Sequence, residues 1–126
     1  MPSTRRSSRR HKPPQITTIL WRDIPAQVVA SAGDVTERVL LSARFQKAID
    51  KAARVAGLTE RHAYLQQWRR SVDDLSQDQD VVAVAHALAA ALEENFDRDT
   101  LASLVRAGGV RATGDVTDQA RSGGNA

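Results

Sequence analysis

The apolar residues of this chain keep two different periods, and the switch between them limits the fold more than any single residue does. From Ile16 to Leu41 hydrophobic and β-branched residues alternate with polar ones, and from Ser42 onward apolar residues recur three and four apart. The first period belongs to strands and the second to amphipathic helices. "ITTILWRD" predicts a strand with Ile19 and Trp21 on one side and Thr18 and Leu20 on the other. Asp23, Ile24 and Pro25 predict a turn or bulge, because proline cannot donate to a strand ladder. "AQVVAS" predicts a second strand, and "AGD" a three-residue turn in which Gly33 supplies positive φ. "VTERVLL" then predicts a third. The expected fold is α+β: a three-stranded antiparallel β-meander followed by three to four helices packed on one sheet face.

The helical half carries its own punctuation. Ser42 is placed to cap a helix bearing Phe45, Ile49, Ala52 and Ala56 on one stripe, and Gly57 stops it. Asp50 and Arg54, four apart with the acid first, predict a surface pair on that helix. A second helix is expected after Thr59, with Tyr64, Leu65, Trp68, Val72 and Leu75 inward; Arg69 and Arg70, and Asp73 and Asp74 four residues on, face water. "SQDQD" (residues 76–80) is a polar link whose acids suit the start of a third helix. That helix runs from Val81 to about Asn95, with Val81, Val84, Ala85, Leu88, Leu92 and Phe96 on one stripe. Asp97 or Asp99 caps a last short helix with Leu101, Leu104 and Val105, ended by Gly108 and Gly109.

Chain length allows one domain and one modest core. The apolar fraction of 41% rests on alanine and aliphatic residues, with aromatics at 4%, so the two tryptophans supply much of the available bulk. With no cysteine, disulfides, thiolate metal sites and thiol nucleophiles are excluded; this fits a reducing compartment, and a cytoplasmic location is expected. The start "MPSTRRSSRRHKPP" has the charge of a secretion signal but no following run of about 7 to 15 apolar residues. Nothing approaches the roughly 18 uninterrupted apolar residues of a membrane helix.

Charge is distributed unevenly. Arg5, Arg6, Arg9, Arg10 and Lys12 carry +5 of the overall +3; from residue 16 on, 13 basic residues face 15 acidic ones, a net −2. Residues 1–15, rich in Arg, Ser and Pro without apolar periodicity, are expected to form a disordered basic arm. Residues 16–109 form the domain, and residues 110–126, with little to bury, a disordered tail. The arm can attract phosphates in a salt-dependent way, but no aromatic residue interleaves with its arginines to stack on bases.

No catalytic, cofactor or metal constellation is readable. His11, His62 and His86 are scattered, the Gly108-Gly109 pair ends a helix where a phosphate loop would lead into one, and the acids fall at caps, turns and exposed positions. No serine sits in a G-x-S-x-G elbow. The stretch "ERVLLSARFQKAIDKAARVAGLTERHAYLQQWRR" resembles ribbon-helix-helix repressors in order and length, although Leu40 on the outward face is ill suited to meet base edges. Three functions follow for testing: an accessory or interaction protein, a ribbon-helix-helix-like DNA-binding regulator, and a small enzyme of unknown reaction.

"WRDIPAQV" is the oddest stretch. Trp21 is expected to pack inward beneath the helices while Arg22 and Asp23 leave the strand for water; alternatively Trp21, Arg22, Asp23, Pro25 and Gln27 form a recognition patch, since Trp and Arg tend to anchor interfaces. Trp68-Arg69 repeats the Trp-Arg pair, and if the tryptophans meet they form one cluster.

The segments "ILWRDIPAQVVA", "RVLLSARFQKAIDKAARVAG" and "AYLQQWRR" resemble the small bacterial domain family named "virulence factor", over about residues 16–105 with both tails outside. The residues that carry the resemblance are Trp21, Arg22, Asp23, Ile24, Pro25, Gln27, Phe45, Ile49, Asp50, Tyr64, Leu65 and Trp68. It brings no cofactor, metal or catalytic set. It implies an accessory or adaptor role with a protein partner, and points to folate-linked one-carbon enzymes as the neighbours among which to look. No membrane association is expected, and nucleic acid only through the basic arm.

Overall fold

A computed structural model describes residues 13–111. Arg5, Arg6, Arg9, Arg10, His11 and Lys12 of the basic arm, and residues 112–126 of the tail, lie outside the described residues. The alternating stretch folds into three antiparallel strands, β1 (Gln15–Trp21), β2 (Ile24–Ala32) and β3 (Val35–Leu40). Two-residue loops join them: Arg22-Asp23, with Arg22 at φ 54, and Gly33-Asp34, with Gly33 at φ 58. Positive φ matches a tight loop to the right-handed strand twist, so the second turn is one residue shorter than "AGD" implied. Ile19 faces Gln27 while Leu20 faces Pro25, which leaves Ala26 as the extra residue of a bulge on β2. A bulge beside a proline is where a missing N–H does least harm to the ladder.

The sheet has a fourth strand that the sequence pattern did not predict. After α1 (Ala43–Ala56), the expected second helix shrinks to the five residues of α2 (Arg61–Leu65), and Trp68–Asp74 becomes β4. It lies antiparallel along β1 from Gln15↔Asp74 to Trp21↔Trp68, giving the order β3-β2-β1-β4. Tyr64, Leu65, Trp68, Val72 and Leu75 therefore share no helical stripe, and Arg69, Arg70, Asp73 and Asp74 do not pair across a helical turn. A spacing of four residues fits a strand's period of 2 as well as a helix's 3.6. A strand laid along the outer side of β1 gives its free N–H and C=O groups partners within the chain in place of water. The ribbon-helix-helix order fails at the same place, because β3 pairs with β2 inside this sheet and only the five-residue α2, then β4, directly follows α1.

Two further helices follow, α3 (Val81–Asn95) and α4 (Arg98–Arg106). Asp80 caps α3 through the N–H groups of Val82 and Ala83, and Asp97 caps α4 through that of Thr100. Ser42 holds the cap position of α1, but its side chain caps no N–H of that helix, where only its carbonyl accepts, from the Phe45 N–H; the Ser42 N–H and hydroxyl donate to Glu93 on α3. Asp50 accepts from Gln46 on the opposite side from Arg54 along the helix.

Strand alternation divides the sheet into two faces. Ile16, Val28 and Ala30 are buried, as are Val81, Ala85 and Ala89 of α3, which lies across β2 and β3, with His86 Nε2 2.7 Å from Glu37 Oε2. The opposite face carries Thr17 and Ile19 of β1, Gln27 and Val29 of β2, Arg38 and Leu40 of β3, and Arg70 and Val72 of β4. Ile19 is thus half-buried on that second face and not in the core beside Trp21. Trp21 shares its strand parity yet is fully buried, because it ends β1 where Ala52 of α1, Tyr64 of α2 and Gly109 close around the end of the sheet.

Candidate functional site

The Trp21-Arg22-Asp23 segment is a structural knot. Burying the whole indole stabilises the fold by roughly 4 to 6 kcal/mol from area alone. Its Nε1–H donates to the Tyr64 carbonyl at 2.9 Å and its ring stacks on Tyr64 with centroids 5.6 Å apart. Tyr64 in turn meets Trp68 edge-on at 6.2 Å, so the two tryptophans belong to one aromatic cluster joined by the tyrosine. Trp21 lies in the interior at one end of that cluster, and half-buried Trp68 reaches the surface at the other.

Arg22 and Asp23 do not simply leave for water. The Arg22 N–H donates to the Gln67 carbonyl at 3.0 Å, prolonging the β1–β4 ladder by one bond. Its guanidinium donates to Gln67 Oε1 at 3.0 Å and to the Gly108 carbonyl at 3.2 Å. Asp23 accepts from Arg69 at 2.9 Å and from the Arg111 N–H at 2.5 Å, while its own N–H donates to the Gly109 carbonyl at 2.8 Å. The hairpin tip thereby fastens β4 and the end of α4 to the sheet. Pro25 is buried on β2. Of the five residues of the recognition patch, Trp21 and Pro25 are inaccessible, Arg22 and Asp23 are committed internally, and Gln27 remains on the open sheet face, accepting from Arg38 at 2.7 Å.

That face is where the surface chemistry concentrates. Leu40 is 70% exposed and Val72 50%, with half-buried Ile19 and Val29 between them and half-buried Trp68 at the Trp21 end of the face. Two hollows of about 280 and 340 Å³ adjoin there and share Gln27 and Trp68; one also touches Ile19 and Arg70, the other Leu40 and Gln46. Neither Leu40 nor Val72 belonged to the patch proposed from sequence. Only the pairing of β4 with β1 brings Val72 and Trp68 onto the face that bears Leu40.

The titratable groups with displaced pKa lie elsewhere. Desolvation, the largest single effect on Glu93, raises its pKa, but hydrogen bonds from the Ser42 N–H and hydroxyl, with Arg44 alongside, outweigh it and hold the carboxyl below its ordinary value. The Thr100 N–H lowers Asp97. Glu93 ties the start of α1 to α3, and Asp97 caps the start of α4. Asp50 bonds to Gln46 and His62 is exposed on α2, neither of them joined to Asp23. Among the described residues no group of three or more histidines and acids is placed to hold a metal ion, and no helix is long and apolar enough to cross a membrane.

The residues that complete the knot, Gln67, Arg69, Gly108, Gly109 and Arg111, lie 44 or more positions along the chain from it (67 less 23), beyond any local pattern. One signal was present: the repeated Trp-Arg pairs, which the β1–β4 register sets side by side with Trp21 opposite Trp68. No curated protein and no solved structure matches the chain. A family model described as "Virulence factor" matches residues 19–105, from the last residues of β1 through the hairpin knot to the final turn of α4. Covering well over half of the sequence, that match makes the chain a member of the virulence factor domain family.

Proposed function

We propose that this domain is a non-enzymatic accessory protein that binds a protein partner on its open sheet face. The supporting observation is the sheet face opposite α3, where Leu40, Ile19 and Trp68 line two adjoining hollows and Val72 adds exposed apolar surface on β4. Contiguous apolar patches rimmed by polar groups mark interaction sites more often than singly scattered apolar residues do. Trp68 supplies a rigid aromatic anchor, and Arg38 and Arg70 select a partner whose apolar contact is flanked by carboxylates. The Trp21-Arg22-Asp23 knot serves this role indirectly, by holding β4 in register. Folate-linked one-carbon enzymes, which the family resemblance points to, are the first partners to test.

The test compares the full chain with a Leu40→Glu/Val72→Glu variant as baits, after circular dichroism has shown that the variant is folded. A protein held by the native chain, lost with the variant, and bound again as a purified pair supports the reading. Equal retention by both baits overturns it, as does turnover of a small molecule by the purified domain.

A further inference from the structure

A second surface has a different chemistry. α1 and α4 run side by side in the same direction: Arg44 near the start of α1 donates to the Phe96 carbonyl just before α4, and Gly108 just after α4 meets Ala56 at the end of α1. Between them lies a groove of about 450 Å³. Its walls are five cations, Arg44, Lys47 and Lys51 from α1 and Arg98 and Arg106 from α4, and no acidic residue lines it. Its floor is apolar: Ala48, Leu101, Ala102 and Val105. Val55, one turn beyond Lys51 on the same side of α1, is 56% exposed.

This concentration is unexpected in a chain whose residues from 16 onward carry a net −2. Arg44 is held by Glu93, but among the described residues Lys47, Lys51, Arg98 and Arg106 form no ion pair, and all four are exposed. Clustered like charges repel and raise the free energy of the folded chain unless something anionic relieves them. From Arg98 to Arg106 the walls extend about 12 Å, roughly two turns of helix.

We infer that the α1–α4 groove binds an acidic amphipathic helix of a partner protein, with the partner's apolar stripe on the Ala48-Leu101-Ala102-Val105 floor and its carboxylates against the lysines and arginines of the walls. The small side chains Ala48 and Ala102 let a third helix approach within the usual packing distance of roughly 8 to 10 Å between axes. Cationic walls on both sides match acids on both flanks of an apolar stripe, the arrangement of helix-in-groove recognition. A nucleic-acid backbone would satisfy the walls but leave the apolar floor without a counterpart, and no aromatic residue is present there for base stacking. A bilayer surface cannot enter a concave groove. This surface is separate from the open sheet face, and the inference does not depend on that one.

The probe is a labelled peptide of about 16 residues with leucines at helical spacing and glutamates on both flanks, long enough to form a helix once bound. A peptide of the same composition in scrambled order is the control. Fluorescence anisotropy with the full chain is expected to show the patterned peptide binding about tenfold more tightly than the scrambled one, with affinity falling as salt rises. Lys47→Glu/Lys51→Glu and Arg98→Glu/Arg106→Glu are each expected to weaken it by about tenfold or more, while Leu40→Glu/Val72→Glu leaves it unchanged. Equal affinity for the scrambled peptide, or retention by both charge-reversed variants, overturns the inference. So does tighter binding of duplex DNA or of phosphatidylglycerol vesicles that is lost with the same variants, which would assign the groove to phosphate surfaces instead.

Discussion

Gly109 and Trp21 lie against each other so closely that a Cβ added to Gly109 would sit 2.9 Å from Cζ3 of the indole. The glycine after the last helix thus closes the pocket that holds the largest buried side chain. Its backbone carbonyl accepts from the Asp23 N–H at 2.8 Å, so one residue both walls the indole and pins the hairpin. Gly109→Ala is expected to destabilise the domain by about 2 to 3 kcal/mol, from strain at φ +91 together with overpacking. Gly57→Ala, at φ +73 with nothing within 4 Å of the new methyl, is expected to cost only about 1 kcal/mol. Urea denaturation of the two variants checks the ranking; equal losses would show that the indole contact carries no weight.

The two tryptophans should report separately. Trp21→Phe leaves the Tyr64 carbonyl without its donor and opens space under Gly109, and is expected to cost about 2 to 4 kcal/mol. Trp68→Phe, half-buried and without an indole hydrogen bond to another described residue, should cost under about 1.5 kcal/mol. In emission spectra the protein left with Trp21 alone should fluoresce at short wavelength and resist acrylamide quenching. Retaining only Trp68 should give red-shifted, quenchable emission.

Asp23 is expected to matter more than its ion-pair partner. Arg69→Ala removes an ion pair whose guanidinium is half-exposed, worth up to about 1 kcal/mol, and a donor to the Arg22 carbonyl. Asp23→Ala removes the same ion pair and the acceptor for the Arg111 N–H, and should cost about 1 to 2 kcal/mol. Thermal melts at low and high salt test this: salt should shrink the effect of Arg69→Ala by a larger fraction than that of Asp23→Ala, because the shared ion pair is screened while the Asp23 bond to the Arg111 N–H persists.

Acid should weaken the α1–α3 clamp at Glu93 and the α4 cap at Asp97. Glu93 and Asp97 have pKa values lowered in the folded chain, so near those values the unfolded chain binds more protons than the folded one. Their stabilising contribution is present above the ordinary values of 4.5 and 3.8 and is lost as pH falls through the depressed ones. The urea midpoint is expected to hold steady from neutral pH to about 5 and to fall below it. Glu93→Gln should flatten part of that slope; an unchanged slope would show that the Ser42 and Arg44 contacts do not hold the carboxylate.

Three strands, the long helices α1 and α3, and the short α4 with its cap narrowed to Asp97 or Asp99 were legible in the sequence, because each is set by contacts within a few residues: alternation, a turn, a stripe, a capping oxygen. Packing was one of two readings that the sequence left open for Trp21, and the contacts that bury it, from Ala52, Tyr64 and Gly109, come from far along the chain. β4 was not legible. Trp68 and Val72 are four apart, a spacing that a helix and a strand share, and the choice between them was made by the unpaired backbone along β1, some 50 positions away. The sheet face that no described helix covers, the glycine against the indole and the cationic groove have the same origin: each joins segments far apart in sequence, and such juxtapositions exist only once burial of a common core has brought those segments together.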